Sequence, residues 1–276
     1  MTELIGASTS MSLRSTNRLP SIFISHGAPT FALEPGIAGP KLGALGRSLP
    51  KPAAVLVISA HWATPTVRVS VAPRPPTIHD FSGFPQALYD IQYPAPGHQE
   101  LAHRTISMLR AAGWVADPDP IRGLDHGAWV PLLYVYPNAD VPVFQVSMPT
   151  RFDGEAAWML GQALRRLSSE HNVLIVGSGS LTHNLGEAVM GSFDAPPYVG
   201  EFVAWVRGAA TSGDHSRLRK ALALAPHAAR AHPTAEHFWP LLVAAGAAVD
   251  QAPVAVIEGG IEHAVIAMES YVFGDF

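Results

Sequence analysis

The sequence contains no cysteine, which excludes disulfides, thiolate metal sites and cysteine nucleophiles together. Any metal ion must then be held by His, Asp or Glu, and 13 histidines make that supply large. Long apolar runs are also missing: no stretch reaches the roughly 18 to 20 unbroken apolar residues that a membrane helix needs. The opening stretch M-T-E-L-I-G-A-S-T-S-M-S-L-R-S-T-N-R lacks the apolar segment of a secretory signal. Residues 1–18 read as a polar tail, disordered or poorly ordered, and a cytoplasmic location is expected. Charge is sparse, with 22 acidic and 18 basic residues, a net charge of -4 and no long run of either sign. Neither a nucleic-acid groove nor a basic membrane-binding face is expected, and a small neutral or weakly charged ligand fits better.

What is present is apolar: 48% of the 276 residues are hydrophobic and only 14% charged, enough for one large core. Ala54–Ile58 is an unbroken apolar run, as expected of a strand covered on both faces in a parallel sheet. Pro20–Ser25, Val67–Val71, Val141–Ser147, Val173–Val176, Val254–Ile257 and Tyr271–Phe273 read as further strands, with Trp114–Ala116 a shorter one. Between them, helices are expected over His98–Ala112 with Gly113 as its stop, over Val130–Tyr136, from an Asp153 cap to about Glu170, over Val199–Ala210 and from Asp214 onward. Thr234 is a plausible cap for the apolar segment near residue 241. Thr77–Gly97, rich in Gly, Pro and aromatics, reads as an irregular excursion, either a lid or binding loop or a packed surface loop. The alternation describes an α/β fold, a single domain with a central, mostly parallel mixed sheet flanked by helices.

Three of the strand runs end in a histidine: His26 after Ser25, His61 after Ser59-Ala60, and His183 after Gly177-Ser178-Gly179-Ser180. One histidine in a turn usually caps a helix or bonds a carbonyl. Three at the ends of separate parallel strands share one sheet edge and can converge there, which places a metal site at the carboxyl edge of the strands. Converging imidazoles suit Zn, Fe, Cu or Ni better than Mg or Ca. A fourth ligand is expected from His237 or Glu236, and His126 is the best ring for acid/base work. His79, His98, His103, His171, His215, His227, His232 and His263 lack strand-end placement and are expected to be solvated or satisfied. Gly177-Ser178-Gly179-Ser180 fails both the G-x-S-x-G nucleophile elbow and the dinucleotide fingerprint, and H-E-x-x-H and H-x-x-E-H zinc patterns are lacking.

Taken together, S-H-G-A-P-T, V-I-S-A-H-W, I-H-D-F-S-G-F-P, Y-P-A-P-G, G-L-D-H-G-A-W, G-S-G-S-L-T-H-N and H-P-T-A-E-H resemble the class III extradiol ring-cleavage dioxygenases of the LigB-like superfamily. The likeness is to the branch containing 4,5-DOPA dioxygenase and runs from Ser21 to Phe273 in the family's order. The resemblance implies a catalytic domain over residues 19–276 and a mononuclear non-haem metal held by His26, His61 and His237. It implies His183 as the acid/base histidine, close enough to be a fourth ligand when zinc replaces iron, and His126 in the substrate pocket assisting proton transfer or binding a hydroxyl. The expected cofactor is Fe(II), with Zn(II) plausible as the bound ion, and the expected substrates are a small catechol, DOPA-like or other, and dioxygen. Of the neighbouring aromatics, Trp129 and Phe81 are expected to touch substrate, with Trp62 as a further wall. A zinc hydrolase on the same histidines and a non-catalytic protein like the Memo proteins are the alternatives.

Overall fold

The computed structural model describes residues 18–276, so the expected tail of residues 1–18 lies outside the described residues except for Arg18. Strands β1 (Ser21–Ser25), β2 (Ala54–Ser59), β3 (Val143–Gln145) and β4 (Val173–Gly179) are buried along their whole length. With β5 (Val254–Ile257) and β6 (Ser270–Phe273) they form one six-stranded sheet in the order β3-β2-β4-β1-β6-β5. The β3-β2, β2-β4 and β4-β1 pairs are parallel, and β6 is antiparallel to both β1 and β5. Five strands therefore run one way, the mostly parallel mixed sheet that the sequence implied.

Six principal helices accompany the sheet: α1 (Ala38–Ser48), α2 (Gln99–Ala111), α3 (His126–Val135), α4 (Gly154–His171), α5 (Pro197–Thr211) and α6 (Trp239–Ala247). Asp153 caps α4, its carboxylate accepting the Ala156 N–H at 2.8 Å, and Asn172 ends that helix in the left-handed conformation. Successive residues of β4 face opposite sides. Gly177 meets the Pro240 carbonyl of α6, whereas Ser178 donates to the Gly127 carbonyl of α3. The two helices thus cover opposite faces of the sheet, which is why β4 reads as a continuous apolar run. No helix among the described residues is long and apolar enough to cross a membrane.

Several expectations are corrected. Strand β4 continues three residues past Val176, because Gly177–Gly179 stay paired with Phe23–Ser25 of β1. A Cβ at Gly177 would lie 2.1 Å from the Pro240 carbonyl, and one at Gly179 2.1 Å from the His237 carbonyl, so these glycines allow close packing and do not mark a turn. Helix α3 starts at His126, four residues earlier than its apolar run, because the Asp125 carboxylate caps it by accepting the Ala128 N–H at 3.2 Å. The last buried helix, α6, starts at Trp239, and the Thr234 hydroxyl donates to Glu236 and does not cap it. The short strand expected at Trp114–Ala116 lies at Ala116–Asp119, pairing with Val67–Ser70 outside the main sheet. Between Thr77 and Gly97 the one helical turn is Gln86–Tyr89. This excursion is pinned by the Trp129 indole N–H donating to the Ile78 carbonyl at 3.0 Å and by the Tyr93 N–H donating to Thr77 Oγ1 at 2.9 Å.

Candidate active site

Because β1, β2 and β4 are parallel neighbours, their carboxyl ends open on one edge. His26 follows β1, fixed by its N–H donating to the Gly179 carbonyl at 2.9 Å. His61 sits in the turn after β2, its N–H reaching Ser59 Oγ at 3.2 Å. His237 arrives from elsewhere: it precedes α6, and its carbonyl packs on Gly179 and accepts the Ser180 N–H at 3.0 Å. The close approach of α6 to β4 carries it to the same edge.

Three ring nitrogens meet there. His61 Nε2 lies 3.1 Å from His26 Nε2 and 3.3 Å from His237 Nε2. The opposite nitrogens are engaged behind the cluster. Ser178 directs its single hydroxyl proton at the Gly127 carbonyl, so at 2.9 Å it can only accept from His26 Nδ1–H. Glu236 accepts from His237 Nδ1–H at 3.0 Å, and the Asp80 carboxylate lies 3.4 Å from His61 Nδ1. With each Nδ1 carrying the proton, all three Nε2 atoms present lone pairs to one another. That contact is repulsive unless a cation sits among them, and imidazole donors suit a divalent transition metal. The donor set therefore fits a metal. Glu236, the carboxylate alternative, lies on the Nδ1 side of His237, behind the ring.

Burial keeps the cluster neutral. It pulls His26 and His237 well below their ordinary value, the neighbouring rings adding to the effect. His61 is brought down to about 4, by burial first and then by His126, with Asp125 and Asp80 opposing. His183 is also lowered, by burial first, although Glu236 opposes. Burial would raise Asp80, yet its bonds to His126 bring it down to about 2, so it is an anion.

His183 does not join the three converging donors. Its ring stacks on His237 with centroids 3.4 Å apart and planes 11° from parallel. Imidazole lone pairs lie in the ring plane, so those of His183 and His237 run in parallel planes and do not meet. The donor atoms of His183 group with Glu236 and His237, not with His26 and His61. Three rings thus converge, with His183 alongside.

His126 takes its place through Asp80, whose Oδ1 accepts both its backbone N–H at 2.8 Å and its Nδ1–H at 3.0 Å, leaving Nε2 as the free ring nitrogen. Behind it, buried Asp125 accepts from Ser59 at 2.6 Å and from Arg122 at 2.5 Å, tying α3 to the end of β2.

All five rings border a cavity of about 290 Å³. Phe81 lines it as expected, from the Thr77–Gly97 excursion. Trp129 and Trp62, expected to touch substrate, are not among its lining residues. Trp129 is fully buried with its indole committed to Ile78, and Trp62 is buried beneath the Arg122 guanidinium, 5.1 Å from its ring. Of the histidines expected to be bland, His79 is satisfied by the Ile91 carbonyl at 3.0 Å, whereas His263 lines the cavity. Asp80, Asp125, Ser59 and Ser178 were not singled out by the sequence pattern, because short polar residues at strand ends and in loops read as turn formers. The D in I-H-D-F and in L-D-H-G was the available signal.

Two outcomes are expected from this geometry. Ser178→Ala strands the buried His26 Nδ1–H and lowers metal affinity about 10- to 100-fold, as measured by competition with a chromogenic chelator. A second concerns stability. His61 and buried His232, whose Nε2 donates to the Leu181 carbonyl at 2.8 Å, are both held at about 4. Above about 6.5 the folded and unfolded chains are both neutral at these rings; below it the unfolded chain takes up protons first. Stability of chelator-treated protein should therefore fall as pH drops from about 6.5 to about 4, by about 3 kcal/mol per ring. Urea unfolding across that window checks it, and a flat profile would contradict it.

The chain matches the family described as the catalytic LigB subunit of aromatic ring-opening dioxygenase over residues 44–274. It is 41% identical over 257 residues to 4,5-DOPA dioxygenase extradiol of Beta vulgaris, covering 92% of this chain and 96% of that one. To 4,5-DOPA dioxygenase extradiol of Escherichia coli (strain K12) it is 36% identical over 267 residues, covering 95% and 97%. The crystal structure of an uncharacterized protein from Escherichia coli K12 has a similar fold, with a TM-score of 0.78 and 31% identity over 93% of this chain and 100% of that one. With the histidine cluster at the sheet edge, these matches establish that the chain belongs to the LigB family of metal-dependent, ring-cleaving extradiol dioxygenases.

Proposed function

We propose that residues 19–276 form a catalytic domain that opens the ring of a small catechol, DOPA-like or other, with Fe(II) and dioxygen. The observation that carries this is the convergence of three Nε2 lone pairs, with the Nδ1 protons of His26 and His237 committed to Ser178 and Glu236, and with Asp80 3.4 Å from His61 Nδ1. His26, His61 and His237 would hold the ion, beside the cavity that would admit the catechol. The ion supplies acidification of a catechol hydroxyl and a one-electron redox partner for dioxygen, which zinc cannot supply.

The remaining residues handle protons and position. His183, neutral and without a hydrogen-bond partner on either ring nitrogen among the described residues, accepts the second hydroxyl proton and returns it later. His126, held by Asp80, directs Nε2 at a substrate hydroxyl. The Asp80 carboxylate keeps the His126 ring in one tautomer and stabilises positive charge on it. Phe81, whose ring lies 5.7 Å from that of His126, covers the ring face and excludes water.

The test is anaerobic loading with Fe(II), followed by a catechol panel and dioxygen. One dioxygen consumed per catechol with a yellow ring-opened product supports the proposal. No turnover of any catechol by iron-loaded protein would sink it, and activity with Zn(II) in the absence of dioxygen would favour a hydrolase.

A further inference from the structure

The wall of the cavity opposite the excursion comes from the segment after His183, N-L-G-E-A-V-M-G-S-F. Leu185, Ala188 and Met190 line the cavity together with Ile266, Phe81 and Phe84. Leu185 and Met190 are 61% and 63% exposed, and neighbouring Val189 and Phe193 are exposed as well. Large apolar side chains held in water at a cavity mouth mark a ligand surface more often than a packing defect.

This wall is built in place. The Val189 N–H donates to the His263 carbonyl at 3.0 Å, the Gly191 N–H to His263 Nδ1 at 3.1 Å, and the Ala264 N–H to the Ser192 carbonyl at 2.8 Å. Accepting at Nδ1 leaves the His263 proton on Nε2, 3.4 Å from Thr30 Oγ1, which fixes the ring at the cavity wall.

Charge is missing from the same surface. Among the described residues no Lys, Arg, Asp or Glu lines this cavity. Arg230 is committed to Glu187 at 2.8 Å, and Arg122 to Asp125 behind Trp62. The carboxylates behind the rings, Asp80 and Glu236, are bonded to His126 and His237 and would repel an anion. A charged substituent would therefore lose water with no opposite charge among the described lining residues to replace it.

We infer that the site is selective for catechols carrying an uncharged, apolar substituent, which lies against Leu185, Ala188, Met190 and Ile266, over catechols carrying a carboxylate or an amino-acid side chain. This rests on the ring-opening reading for the orientation of the diol. It is tested by calorimetric titration of Zn(II)-loaded protein with propylcatechol, dihydroxyphenylpropionate and DOPA. Propylcatechol should bind on the order of tenfold more tightly than either charged compound. Met190→Arg, at an exposed position, should narrow or reverse that ratio for the propionate, and Leu185→Ala with Met190→Ala should weaken propylcatechol alone. Equal or tighter binding of the propionate or DOPA by the unaltered protein overturns the inference, as does a Met190→Arg variant with an unchanged ratio. Failure of iron-loaded protein to open any catechol would defeat the ring-opening reading, while the binding order still decides the present one.

Discussion

Replacing His183 by alanine should leave the metal bound and lower ring opening about a hundred- to ten-thousandfold, the range for loss of a general acid/base. Three features suit the ring to proton transfer. It is stacked on His237, its ordinary value is lowered chiefly by burial, and it borders the cavity. Being neutral at pH 7, it can take a hydroxyl proton without first losing its own. Because its donor atoms are set apart from those of His26 and His61, metal content should be unchanged. The kcat/KM profile of the variant should also lose the acid limb that a titrating base imposes. Loss of metal together with activity would instead make His183 a ligand.

Replacing His237 by alanine should remove the metal itself. Its Nε2 stands 3.3 Å from that of His61, and without it two donors remain of three. The fold should survive, because α6 is anchored here by the main chain: the His237 carbonyl against Gly179 and its bond from the Ser180 N–H. Glu236→Ala should be milder, a loss of about 10- to 100-fold in affinity, since it removes only the acceptor that orients the ring. Inductively coupled plasma analysis after dialysis, with circular dichroism to verify folding, separates the two. A His237→Ala protein that keeps a stoichiometric ion would contradict the ligand assignment.

How much of this was legible in the sequence depended on which force placed each residue. His26 and His61 could be read because apolar runs define buried strands and parallel strands share their carboxyl edge. For His237 the pattern left Glu236 as an equal choice, since the close packing of α6 on Gly177 and Gly179, a tertiary event, delivers the ring. The same two glycines made the end of β4 look like a turn. Trp62 and Trp129 could not be placed, because an aromatic beside a site motif has the same sequence signature whether it faces ligand or core. In the fold, Trp62 packs under Arg122 and Trp129 bonds the Ile78 carbonyl. His263 was expected to be bland because it lies in a loop at φ 50°, a backbone state that periodicity does not register.

The central claim is that one metal ion sits on the Nε2 atoms of His26, His61 and His237. Anomalous diffraction from crystals soaked anaerobically in Fe(II), recorded across the iron absorption edge, tests it most directly. The account predicts a single peak among those three nitrogens with His183 outside bonding distance. A peak at the neighbouring His61, Asp80 and His126 donors, or at His183, Glu236 and His237, would contradict it.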